Sequence, residues 1–321
     1  MIVMPSPNFH LLIPIGTQVV TRARVTASSG NQLCPAGAVG VVVEAPVDPF
    51  HSYRVRFTNG VEAMLRRDEL TIRKRHQAEA VGLGVDVDAD VDLYRHVIYR
   101  CVVGSRAYGL DEEASDTDRR GIYLPPAELH WSLGGVPEQL ENKGSEECYW
   151  ELQKFLILAL KANPNVLECL YTPLVETATP LAEELLTMRG IFISRLVYQT
   201  YNGYVMSQFK KLEQDIRSQG AIKWKHAMHL IRLLLSGVTI LNEGYVPVQI
   251  EEHRERLLAI RHGRVSWDEV NAWRLALHQE FDEALTQTPL PERPDYERAN
   301  AFLIKARRAM VSTGSDDRLQ R

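Results

Sequence analysis

Several things are missing from this chain of 321 residues, and each absence narrows its class. No apolar run approaches the roughly 18 residues that a membrane-spanning helix needs, so no membrane partner is expected. The N-terminus has no basic stretch leading into an apolar one, so secretion is not expected either. Cysteine is scarce. Cys34, Cys101, Cys148 and Cys169 are scattered without a Cys-x-x-Cys pair, which reads as reduced, buried thiols and predicts a cytoplasmic home. The net charge of −4 excludes a globally basic nucleic-acid binder, while leaving room for local basic patches. No convincing Ser-His-Asp or Cys-His set points to nucleophilic catalysis by the protein itself. What remains, 45% apolar and 24% charged, is an ordinary globular composition with enough chain for two or three cores.

The stretch from Val97 to Leu124, VIYRCVVGSRAYGLDEEASDTDRRGIYL, organises the rest. It opens as a β-rich apolar run that stops at Gly104-Ser105, which reads as a buried strand. A second strand is predicted from about Ser115 to Leu124. Alternation there puts Asp116 and Asp118 on one face, roughly 7 Å apart at Cα. Two such carboxylates can hold two divalent cations about 4 Å apart, an arrangement that activates an attacking oxygen and neutralises a leaving phosphate. Gly104 has no Cβ to keep a phosphate from the backbone, and the Ser105 hydroxyl with nearby amides can donate to phosphate oxygens. A tight turn followed by an acidic hairpin would explain the glycine, but not two aspartates on one strand face followed by Arg119-Arg120-Gly121.

An apolar strand, Gly-Ser, ten residues and then Asp-x-Asp resembles the signature of the DNA polymerase β nucleotidyltransferase superfamily. The longer form, GSRAYGL followed by SDTDRRGIYL, is similar to the bacterial branch associated with RNA-repair ligases. The resemblance covers roughly residues 95 to 310. It implies an α+β fold in which a mixed-sheet nucleotidyltransferase core is closed by a C-terminal helical domain. It also implies transfer of a nucleoside monophosphate from an NTP to an acceptor hydroxyl with release of pyrophosphate, using Mg²⁺ or Mn²⁺. Asp116 and Asp118 would be the catalytic, metal-holding pair, and Gly104, Ser105, Arg106 and Tyr108 would bind the nucleotide. A third carboxylate, which would bind the catalytic metal and help deprotonate the acceptor, is expected on a later strand. Glu146 occupies the matching place, six residues before Leu152, although the usual residue is aspartate and adjacent Glu147 leaves the register open by one.

Outside that region the text changes character. Residues 1 to about 14 read as a loose arm. From Gly16 to about Arg75, short alternating segments are separated by Gly37, Gly40, Pro46 and Asn59-Gly60, the last a strong hairpin signal. This resembles a small SH3-like β-barrel. Arg22, Arg24, Arg54, Arg56, Arg66 and Arg67 would make it basic, with Tyr53 and Phe57 as stacking platforms for RNA; a merely solvated face is the plainer alternative. Asp86, Asp88, Asp90 and Asp92 alternate like a calcium loop, but Val91 stands where that loop needs glycine, so the stretch reads as an acidic linker.

Beyond the core motif, SEECYWELQKFLILAL begins as a strand and turns helical near Trp150, and Asn163-Pro164-Asn165 breaks that helix. From about Leu181 the pattern is helical, and Ser266 with Glu269 forms a capping box. On the helix beginning near Trp224, Lys225, His229, Arg232 and Ser236 share one stripe of an otherwise apolar surface. Tyr204, Ser207 and Lys211 form a similar stripe on the helix before it. A buried charge needs a partner, and a triphosphate would serve; a solvated face or an internal ion pair with a glutamate is the alternative. The domains expected are residues 1–76, the barrel; 77–185, the nucleotidyltransferase core; 186–312, the helical domain; and 313–321, a flexible tail. The acceptor expected is a nucleic acid, RNA before DNA. A protein hydroxyl taking AMP, or a catalytically degenerate NTP- or RNA-binding regulator, stands as the rival reading. Base preference and oligomeric state have no signature in the sequence.

Overall fold

A computed structural model of the chain describes residues 12–26, 32–46, 48, 51–81, 92–113, 115–142, 144–219 and 222–311. The arm before residue 12, the acids at 86, 88 and 90, and the tail from 312 lie outside the described residues. Two compact units divide at residue 91, Met1–Val91 and Asp92–Arg321. Among the described residues no helix is long and apolar enough to cross a membrane.

The first unit contains β1 (Gln18–Thr21), β2 (Val25–Thr26), β3 (Gln32–Cys34), β4 (Val39–Glu44), β5 (Tyr53–Phe57), β6 (Glu62–Leu65), β7 (Leu70–Ile72) and α1 (Arg73–Ala80). Five of the strands form an antiparallel sheet in the order β6-β5-β4-β1-β7, and β2 pairs with β3 as a separate ribbon. The Asn59-Gly60 hairpin is present: Gly60 has φ +81, and the Asn59 side chain accepts from Val61 N at 3.1 Å. Two expectations need correction. Among the described residues the sheet is open rather than closed into a barrel, with β6 and β7 at its two edges. Tyr53 and Phe57 are not stacking platforms; alternation along β5 turns them into the core and leaves Arg54 and Arg56 outside. Those arginines are engaged by carboxylates, Arg54 with Glu44 at 2.6 Å and Arg56 with Glu62 at 2.7 Å. The arm also ends sooner than expected, since Ile13 is buried and its amide donates to Tyr53 Oη.

The second unit runs through β8 (Val97–Val103), α2 (Gly104–Tyr108), β9 (Asp118–Tyr123), α3 (Ala127–Trp131), β10 (Gln139–Asn142), β11 (Glu147–Glu151), α4 (Leu152–Leu160), α5 (Pro164–Tyr171), β12 (Val175–Ala178) and α6 (Pro180–Thr187). Five helices complete it: α7 (Leu196–Gln219), α8 (Trp224–Glu243), α9 (Arg254–Arg261), α10 (Trp267–Gln287) and α11 (Tyr296–Val311). The sheet order is β10-β11-β9-β8-β12, with β11 parallel to β9 and the other neighbours antiparallel. The fold is therefore α+β, with a mixed sheet followed by helices. Asn163 caps α5 by accepting from Asn165 N and Val166 N, which is why the helix break falls there. The Ser266 and Glu269 capping box starts α10.

One continuous apolar core joins sheet and helices, from Tyr99, Cys101 and Ile122 through Leu152, Phe155 and Cys169 to Leu234, Phe281 and Phe302. A smaller cluster of Tyr123, Leu140 and Tyr149 covers the opposite face of the sheet. The helical domain is thus no separate body: its core is also the core under the motif strands.

Candidate active site

The site begins where β8 ends. Gly104 has φ +71, a conformation that favours glycine, and a Cβ there would meet Asp118 Oδ2 at 2.7 Å. The space freed by the missing side chain is occupied by the carboxylate itself, because the β8–β9 ladder places Val103 opposite Asp118. The missing Cβ at Gly104 thus leaves room for the Asp118 carboxylate as well as for the phosphate that the sequence expects there. Asp116 precedes the strand instead of lying in it, since β9 begins at Asp118, and its side chain is exposed. Arg106 is turned back on the hairpin: Nη2 donates to Ser115 O at 2.8 Å and Nε to Asp116 O at 3.4 Å. It fixes the segment entering Asp118 through the backbone.

Arg120 gathers the other side. Its Nη2 donates to Asp118 Oδ1 at 3.1 Å and its Nη1 to Glu146 O at 2.8 Å. Glu146 stands just before β11 with φ +54, a left-handed turn that a glutamate rarely adopts. Parallel pairing sets Cys148 beside Arg120, so Cys148 and Trp150 project on the side of Asp118, whereas Glu147 is opposite Arg119. Asp118, Arg120, Glu141, Glu146, Glu147, Cys148 and Trp150 are among the walls of a cleft of about 520 Å³. Asp116 is not one of them, and among the described residues no three His, Cys, Asp or Glu side chains form a group that could hold a metal ion.

The remaining assigned residues are placed differently. Tyr108 is buried, and its hydroxyl donates to Glu168 Oε2 at 2.6 Å. Arg232 is only 4% exposed; its Nη1 donates to Glu168 Oε1 at 2.5 Å and its guanidinium lies 3.9 Å from the Tyr108 ring centroid. Burial would lower the Arg232 pKa, yet Glu168 and Tyr108 outweigh it and hold the guanidinium above its ordinary value. The internal ion pair, not an exposed phosphate ligand, is therefore what Arg232 makes, and the nucleotide-binding expectation for Tyr108 and Arg232 is corrected on that ground: no face of either is left open. His229 is half-buried, and burial together with Arg232, Lys225, His226 and Arg261 pushes its pKa down to about 3. It is neutral at physiological pH and could offer a hydrogen bond but no charge. Lys225, Ser207 and Lys211 are exposed.

Three residues outside the motif, one of them in the Glu251–Arg256 run that reads as helix boundary and surface, hold the loop between the glycine and the aspartates. Ile250 N donates to Tyr108 O at 3.2 Å, Arg254 Nε to Gly109 O at 2.7 Å, and Arg261 Nη1 to Leu110 O at 2.6 Å. Three consecutive carbonyls of the motif loop are thus taken by donors from α9 and the segment before it. His262 Nε2 and Arg261 add contacts to Glu112 at 2.9 and 3.6 Å. Helix periodicity alone marks Arg254 and Arg261 as surface; only their targets, backbone oxygens about 150 residues earlier, reveal the clamp.

A mixed sheet with Gly-Ser at one strand end, an aspartate from the adjoining strand pressed against it, and a helical layer gripping the loop is the arrangement expected of a polymerase β-like core. Residues 71–305 match the family described as RlaP, RNA repair pathway DNA polymerase beta family, and the chain belongs to it. It is also 29% identical over 157 residues to the uncharacterized protein YcgL of Bacillus subtilis (strain 168), a match covering 47% of this chain and 58% of that protein.

Proposed function

We propose that the chain transfers a nucleoside monophosphate from an NTP to an acceptor hydroxyl, an RNA end, releasing pyrophosphate. The observation that supports this reading most is the seating of the Asp118 carboxylate against the Cβ-free side of Gly104. Strand end, glycine turn and motif aspartate meet at one point.

The family implies a divalent ion, and the donor chemistry fits one. Asp116 and Asp118 are hard oxygen donors two residues apart, and Mg²⁺ needs only one or two carboxylates when phosphates complete its shell. Asp116 and Asp118 would hold the ion, which when bound neutralises phosphate charge and activates the attacking oxygen. Ser105 and the first amides of α2 bind the β and γ phosphates, and exposed Lys225 with neutral His229 bind the far end of the triphosphate. Glu146, which shares the cleft with Asp118, receives the acceptor's proton as its oxygen bonds to the α phosphorus and the bond to the bridging oxygen breaks. Arg120 orients Asp118 and keeps Glu146 in its turn. Such chemistry is positioning and electrostatics, which is what the clamp from Ile250, Arg254 and Arg261 serves.

The test is incubation of the full chain with each α-labelled NTP, Mg²⁺ and either total RNA or a protein lysate. Label on RNA with equimolar pyrophosphate supports the reading. Label confined to protein overturns the acceptor, and pyrophosphate from neither overturns the activity.

A further inference from the structure

Half of the cleft beside Asp118 has no part in the chemistry described above. Pairing of β10 with β11 sets Gln139 beside Trp150 and Glu141 beside Cys148, and pairing of β11 with β9 sets Cys148 beside Arg120. Ladder partners project to the same side, so this aromatic and polar floor continues directly from Asp118 and Arg120. Trp150 is half-buried. Its ring is supported by Phe155, centroids 6.1 Å apart and planes inclined at 51°, while Trp150 also lines the cleft.

Charge decides which part of a ligand this floor can take. Asp118, Glu141 and Glu146 line this cleft with a single arginine, Arg120, so a phosphodiester would be repelled and an uncharged group preferred. The hydrogen-bonding edge is equally one-sided. Gln139 Nε2 donates to Glu141 Oε1 at 2.5 Å, which orients the amide and leaves Gln139 Oε1 and the second Glu141 oxygen as acceptors. An aromatic face next to fixed acceptors suits a flat ring that carries N–H donors.

We propose that this half of the cleft binds the terminal base of the acceptor strand, stacked on Trp150 and donating an exocyclic amino group to the Gln139 and Glu141 pair. The acceptor is then a single-stranded nucleic acid ending in A, C or G rather than U. The inference rests on the nucleotidyltransferase reading for its meaning, but its test needs no turnover.

Cys148 reports on the floor directly. The other three cysteines are buried while Cys148 is only partly so, and alkylation at alkaline pH therefore labels this position first. The full-length protein is alkylated in the presence of short oligoribonucleotides ending in A, C, G or U, or of a lysine-rich peptide, and the Cys148 peptide is followed by mass spectrometry. Oligonucleotides ending in A, C or G should slow labelling about tenfold, the scale of one stacked base. Those ending in U should protect several-fold less, the scale of one lost hydrogen bond. Trp150→Leu should remove protection and Trp150→Phe should restore part of it. Gln139→Leu, a change at an exposed edge position, should level the four ends while leaving stacking in place. Equal protection by all four ends in the unaltered protein, protection by the peptide alone, or full protection in Trp150→Leu would each overturn the proposal. Asp118→Asn separates the two readings: a variant that transfers no label yet is still protected leaves the base site standing, whereas transfer to RNA without any protection overturns the base site alone.

Discussion

The hairpin carrying Gly104 and Asp118 and the helix carrying Arg232 are both legible as spacing patterns, yet the spacing means different things in each. In the hairpin the partners are ten to fifteen residues apart, and the antiparallel ladder leaves the chain one way to bring them together. On α8 the stripe of Lys225, His229, Arg232 and Ser236 is real, but it faces two environments. Its first residue is exposed, while Ser236 lies in the core and Arg232 lies there against a glutamate from α5. A stripe shows that charge needs a partner; it does not say whether that partner is a ligand or another helix.

The largest effect expected is on stability, at the buried pair. Arg232→Met leaves Glu168 buried without its cation and should destabilise the protein by about 3–5 kcal/mol, with the Arg232→Met, Glu168→Leu double variant recovering much of it. Chemical denaturation without nucleotide measures both. A loss below about 1 kcal/mol, the scale of a surface pair, would return Arg232 to the solvent-facing side of the comparison.

Gly104→Ala sharpens the hairpin half. The φ of +71 should cost about 1–2 kcal/mol, and the new Cβ must displace the Asp118 carboxylate, so transfer should fall by about a hundredfold, the loss a shift of about 1 Å can produce. Normal turnover in a destabilised Gly104→Ala would mean that the glycine serves the turn and not the aspartate. Arg261→Met tests the clamp between the two regions. It strands the Leu110 carbonyl and should lower kcat about tenfold with NTP affinity little changed, the scale of one charge-assisted hydrogen bond. A pure KM effect would instead place Arg261 on the substrate.

The smallest effect is the pH dependence of His229. Its folded pKa, about 3, lies below the ordinary 6.5, so below pH 6.5 the unfolded chain takes up a proton that the folded protein refuses. The stability involved is complete above pH 6.5 and drains away as pH falls toward 3. Melting curves at pH 7.5 and 5.5 should converge in His229→Gln relative to the parent. An unaltered gap between the two pH values would mean that His229 is not desolvated as described.

How far the sequence could be read follows from the same distinction. Contiguous signals survive folding: the Asn59-Gly60 turn, the cap at Asn163, the box at Ser266 and the Gly-Ser strand end all appear where their chemistry requires. Signals that depend on what packs against them do not. Tyr53 and Phe57 have the composition of stacking platforms, but strand alternation turns them inward. Alternation predicts Asp116 and Asp118 on one strand face, but the strand starts at Asp118, two residues too late to include Asp116. The short β10, which builds half of the cleft, has too few apolar residues to stand out in Gln139–Asn142. Glu146 is the intermediate case: its order in the chain suggested a third carboxylate, while its left-handed turn and the Arg120 bond to its carbonyl belong to the assembled sheet.

The central claim is that Asp118, pressed against Gly104, is an essential carboxylate of nucleotidyl transfer. Pyrophosphate release from NTP with an RNA acceptor, measured for the parent and for Asp118→Asn at matched folded concentration, tests it most directly. The account predicts a loss of at least about a hundredfold in the variant, the usual weight of a preorganised charge at a reacting phosphate, with an unchanged melting profile. Retention of more than about a tenth of the parent rate, well above the hundredth or less that loss of such a group typically leaves, would contradict it.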